Sequence, residues 1–191
     1  MDDDTFWTLI ENCRTRTPDP DERVAWLCGE LARGPEPETV GFQICLDRAL
    51  TPTNTWDLWA AADRIMGWNS DDSFFYFRLW LVGLGREAFE RVARDPDALA
   101  ELPDVRRLVG RHQSDWDEEE WLVWEELDYV AGQAFVQVTG RTEEDFYEVV
   151  EARGGEDPES ADPAGERWDA SDDEQAKRRI PRLSGLFPGH R

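Results

Sequence analysis

The sequence is poor in the residues from which most catalytic and metal sites are assembled. It has two histidines, His112 and His190, and three cysteines, Cys13, Cys28 and Cys45, spaced by 15 and 17 residues. Zinc sites want close Cys or His pairs, and a disulfide framework wants an even count, so neither a metal nor any other cofactor is expected. Each cysteine falls on an apolar helical stripe and reads as a buried free thiol in a reducing compartment. No Gly-rich phosphate loop, GxSxG or HExxH occurs, which removes most transferase and hydrolase templates. Positive charge is also scarce: 21 Lys and Arg stand against 43 Asp and Glu, a net charge of −22. That deficit argues against nucleic-acid binding by the body, because phosphate neutralisation needs basic residues in excess. Uncharged runs are too short to span a bilayer, and no basic, apolar, then small-residue leader opens the chain. A soluble cytoplasmic protein with no membrane attachment is expected.

What is present suffices for a core. Hydrophobic residues make up 40% of the 191, with 10 Trp among them, enough for one ordinary domain with an extension. The charge is unevenly placed. Residues 1–153 hold 34 acids and 15 bases, residues 154–175 hold 9 acids and 1 base, and residues 176–191 hold 5 bases and no acid. The middle segment is rich in Gly, Pro, Ser and acids, a composition that buries too little to order itself. The division expected is therefore a helical domain over 1–153, a disordered acidic linker over 154–175 and a short basic tail over 176–191.

Within 1–153 the apolar spacing is helical almost throughout, and no period-2 strand stands out. Phe6, Leu9, Ile10 and Cys13 form one stripe; Val24, Leu27, Cys28 and Leu31 form another, stopped by Gly34-Pro35. Ser70 reads as an N-cap followed by first-turn acids Asp71 and Asp72. The segment behind it, SFFYFRLWLVGLG, is apolar nearly all round and should be the central helix. Ser114 is expected to cap the longest helix, with Val123, Trp124, Leu127, Val130, Ala134 and Phe135 along its stripe. The architecture expected is all-α, a compact irregular bundle of about seven to nine helices.

Two groups of residues could carry chemistry. The acids Asp115, Asp117, Glu118 to Glu120, Glu125, Glu126 and Asp128, with Glu148 and Glu151, could in principle hold a divalent ion. If the segment is helical, however, Glu125 faces away from Leu127, and the stretch reads as a solvated face. The second group centres on Arg78, the one charge between Ser73 and Gly85. A guanidinium in a buried helix calls for a carboxylate, and Asp57, Asp63, Asp71 and Asp72 are at hand. A polar binding cluster of Asp57, Ser70, Asp71, Asp72, Arg78 and Arg86, flanked by Trp56, Trp59 and Trp80, is the functional reading. A structural ion pair between two helices is the plain one. Trp168, isolated in the acidic linker, has the character of a docking residue.

The runs Trp56-Asp57-Leu58-Trp59, Ser70-Asp71-Asp72-Ser73-Phe74, Phe77-Arg78-Leu79-Trp80-Leu81 and Gly85-Arg86-Glu87 resemble the bacterial family called domain of unknown function 4240. Phe6-Trp7-Thr8-Leu9-Ile10 and Asp95-Pro96-Asp97-Ala98-Leu99 look like its flanking motifs. The resemblance covers roughly residues 1–150 and is most specific over 56–99. This chain carries Gly67-Trp68-Asn69 where the family shows a Gly-rich turn. The resemblance implies a small helical bacterial protein and supplies no activity.

From charge and the missing catalytic constellations, the expected function is a protein-binding or regulatory module whose partner is a protein, with a basic one favoured by the net charge. The alternative is a small metal- or anion-dependent enzyme acting on a nucleotide-like or other anionic substrate through Asp57, Asp71, Asp72, Arg78 and Arg86. The basic tail could be a solubilising end, an anchor for an anionic partner, or a segment folded back onto the acidic body.

Overall fold

A computed structural model describes residues 1–189 apart from Trp68 and Glu159. Trp68 of the 67–69 turn, with His190 and Arg191 of the tail, therefore lies outside the described residues. Eleven α-helices are present there: α1 Asp3–Arg16, α2 Pro20–Leu31, α3 Glu36–Leu50, α4 Trp56–Met66, α5 Asp71–Gly83, α6 Arg86–Arg94, α7 Pro103–Arg106, α8 Val130–Thr139, α9 Glu143–Ala152, α10 Asp173–Arg179 and α11 Pro181–Leu186. Short 3-10 turns cover Thr51–Thr53, Pro96–Glu101, Gln113–Asp115, Glu118–Glu120 and Glu125–Tyr129. The all-α expectation holds, and nine of the helices, α1 to α9, fall within residues 1–153.

Helix starts follow side-chain capping. Asp2, Asp19, Thr55 and Thr142 each accept a first-turn amide, and Ser70 forms a reciprocal capping box with Ser73. α5 is a largely enclosed helix, burying Phe74, Phe75, Phe77, Leu79, Leu81 and Val82 among α1, α3, α4 and α6. Gly83 lets the Trp124 indole lie against its backbone, since a Cβ there would sit 2.7 Å from the ring. All three cysteines are buried and unpaired, and burial pushes the Cys13 thiol up to about 11.

The helix expected from Ser114 onward is broken. Residues 113–129 form three separate 3-10 turns before α8 begins at Val130. The reason lies in the apolar spacing: the buried residues are Trp116, Leu122, Trp124 and Leu127, a pattern that no 3.6-residue period can place on one face. Asp117 and Glu120 close their own capping box, and Trp124 leaves helical geometry to donate its amide to the Tyr76 carbonyl at 3.1 Å.

The segment expected to be disordered, 154–175, lies instead against the body. Ala164 forms an isolated parallel bridge with Thr55: the Trp56 amide donates to the Ala164 carbonyl at 2.9 Å, and the Ala164 amide to that of Asn54 at 2.8 Å. Trp168 is buried. Composition underestimates such a segment, because one large indole and a few backbone pairs are enough to seat it on a ready surface. Beyond it, α10 and α11 bury Ala176, Ile180 and Leu183, with α11 resting on α4 and the Pro96–Glu101 turn.

α11 is too short to sustain itself and lacks a cap of its own. Asp97, 4% exposed, supplies one from a distance. Its Oδ1 accepts the Leu183 amide at 2.8 Å, and its Oδ2 accepts the Arg182 amide at 3.0 Å and Arg182 Nε at 2.9 Å. Asp95 and Glu101 take the remaining guanidinium nitrogens. Asp97→Ala is expected to cost about 3 kcal/mol, a melting temperature lower by about 8 °C, whereas Asp97→Asn, which can still cap, recovers part of the loss. Equal losses for the two variants would contradict this account.

α3 carries a second buried carboxylate, Asp47, held by Gln43 Nε2 at 2.8 Å. Burial, with Asp128 and Asp157 nearby, pushes its carboxyl up from 3.8 to about 7. The native state therefore keeps a proton that the unfolded chain releases. Its stabilising contribution is complete below about pH 4 and is lost as pH rises through 7. Asp128, raised to about 6 by burial and Glu125, acts in the same direction. Thermal stability should fall between pH 5 and pH 8. Asp47→Asn should flatten that fall and raise the melting temperature at pH 8 by about 5 °C.

Candidate functional site

The cavity that stands out is a groove of about 580 Å³ between α4 and the C-terminal segment, lined by Trp56, Trp59, Asp63 and Arg64 on one side and Arg167 and Trp168 on the other. Helical spacing explains the first wall, since residues three and four apart share a face. Trp56 and Trp59 lie 5.5 Å apart, and Trp59 leans on Phe74 at 4.5 Å, so the outer ring stands on the core.

The second wall is held by charge. Arg64 Nε donates to the Phe187 carbonyl at 2.6 Å, Nη1 donates to the Ala170 carbonyl at 2.8 Å, and Nη2 pairs with Asp173. Trp168 Nε1 donates to Asp57 Oδ1 at 2.8 Å, and Arg179 bridges Asp57 and Glu166. Inside the groove the guanidinium of Arg167 sits 4.7 Å above the Trp56 ring, in cation–π geometry. Burial pushes the Asp63 carboxyl up, while hydrogen bonds from Asn69 and the charge of Arg167 draw it back.

The six residues expected to form one polar cluster are distributed over several places. Asp57 stands at the start of α4, engaged by Trp168 and Arg179. Ser70 caps α5, and Asp71 and Asp72 occupy its exposed first turn. Asp71 and Arg78 share a smaller cavity of about 210 Å³ with Asn54, Trp59 and Ser160 to Pro163. Arg86 lies apart, bonded to Asp4 at 2.7 Å and Glu90 at 2.8 Å. Arg78 is 2% exposed. It donates to the carbonyls of Leu50 and Pro158 at 3.4 Å and lies over Phe74 and Phe75 at 5.2 and 5.3 Å. Asp57 and Asp63 serve other groups. Among the described residues, no three Asp, Glu, His or Cys side chains gather to hold a metal ion, and no helix is long and apolar enough to cross a membrane.

Sequence reasoning passed over Arg64, Arg167 and Glu101, offered Asp63 only as a partner for Arg78, and met Asp95 and Asp97 only as part of a family motif. The signal for these was the opposite charge of tail and body. It named the attraction without naming the residues.

No curated protein and no solved structure matches the chain. The motifs of α4, α5 and the Pro96–Glu101 turn fall inside a family profile, described as a protein of unknown function (DUF4240), that matches residues 1–137. The chain therefore belongs to the DUF4240 family.

Proposed function

We propose that this protein is a protein-binding module whose α4 face recognises an arginine-bearing segment of a basic partner. The observation that carries this reading is the seat of Arg167: a guanidinium over Trp56, beside Asp63, in an open groove. An indole face with a carboxylate within electrostatic reach is an environment that suits a foreign arginine, and Arg suits it better than Lys because its planar group stacks. A net charge of −22 draws basic partners in and speeds encounter. The anion-binding alternative keeps Asp71 and Arg78 in one small cavity but leaves Arg86 elsewhere.

The test is a titration of the full chain with an arginine-rich peptide, followed by Trp fluorescence. Saturable quenching is expected, weakening about tenfold between low salt and about 0.3 M. Trp56→Ala should weaken binding about fivefold, a lysine peptide should bind less tightly, and Arg167→Ala should bind more tightly by vacating the seat. An affinity indifferent to salt and to Trp56→Ala would sink the reading.

A further inference from the structure

The family profile ends at residue 137, yet two of its elements, α4 and the Pro96–Glu101 turn, form the surface on which residues 164–187 lie. What they offer there is specific. Asp97 presents a buried carboxylate that accepts two backbone amides and a guanidinium from the tail. Asp95 and Glu101 flank it, and Asp57 receives Trp168 and Arg179. Between these acids the tail inserts Ile180 and Leu183, 1% and 0% exposed. The tail thus has the form of a ligand: a chain bent at Ile180, with Arg179 closing α10 and Arg182 in the first turn of α11, three residues apart and each followed by a buried apolar residue.

We infer that the tail is a tethered occupant of the partner surface, and that the partner is a basic segment with the same arrangement of two arginines three residues apart, each followed by an apolar residue. This rests on the reading of the α4 face as protein-binding and adds its regulation. A tether gives the tail an effective concentration of about a millimolar, so an incoming segment must outcompete it, and anything that loosens the tail sensitises the module. The charge distribution agrees, since the last sixteen residues carry 5 bases and no acid while residues 1–153 carry 34 acids. Arg179 and Arg182 supply the occupant's guanidinium contacts to Asp57, Asp95, Asp97 and Glu101, and these a richer basic partner can replace.

The test uses the full chain and its Arg182→Glu variant, in which the tail meets Asp95, Asp97 and Glu101 with like charge. The probe is a synthetic peptide of residues 172–187, and the same peptide with Arg182→Glu is the control. The peptide is expected to bind the variant at least about tenfold more tightly than the unaltered chain, and the control peptide to bind neither. Equal affinity for both chains, or no binding to the variant, overturns the inference. Should the variant fail to fold, amide exchange on the unaltered chain decides. Residues 176–186 are expected to exchange at least tenfold faster than α3 and α8 and to accelerate with salt, and uniform protection overturns the proposal. The two readings fail separately. If the arginine-rich peptide binds through Trp56 while the tail peptide binds neither chain, the tethered occupant alone falls. If the arginine-rich peptide fails with both chains while the tail peptide prefers the variant, the groove reading alone falls.

Discussion

Arg64 places a guanidinium on the inward side of α4, with its side chain 4% exposed. A charge so enclosed is tolerable only where its donors are met. Its partners are Ala170, Asp173 and Phe187, all more than a hundred positions later in the chain. That requirement brings the C-terminal segment back across α4. It fixes the start of α10, sets the far wall of the groove and holds Trp168 over Asp57. The structure at this end of the molecule is organised around solvating one arginine with the chain's own carbonyls.

The other buried guanidinium, Arg78, is handled differently. It sits between the rings of Phe74 and Phe75 and reaches the carbonyls of Leu50 and Pro158. Here too the linker contributes, since Pro158 lies in the acidic stretch. Both enclosed arginines on the paired helices α4 and α5 thus recruit backbone oxygens from residues 158–187. A segment whose composition forbids a core of its own is ordered by supplying acceptors to someone else's.

Legibility in the sequence followed the physics of each region. Where one face of a helix meets one core, as in α1 and α2, apolar spacing was enough to place the element, and an all-round apolar run was enough to place α5. From 113 to 129 the spacing still looked helical, because Trp124 and Leu127 are three apart. Trp116 and Leu122, however, required separate turns, which depend on cavities made by other helices. Acid content argued for disorder in 154–175, but it says nothing about Asn54 and Thr55, whose backbone stands ready to pair with Ala164. The proposed polar cluster treated nearness along the chain as nearness in space. The turn at Gly67, with φ +88°, and the length of α5 send Ser70 and Arg86 to opposite ends of that helix.

The cap that Asp97 provides has a kinetic side. Nucleating a helix means fixing a full turn before the first hydrogen bond repays it, and α11, at six residues, never reaches the length at which that deficit closes. Its nucleus is a carboxylate 86 positions upstream, so the helix has no existence before the Pro96–Glu101 turn is formed. Closing so long a loop comes late in folding. In a chain emerging from the ribosome, the family body is complete before its last two helices have been synthesised, and for that interval the α4 face is bare.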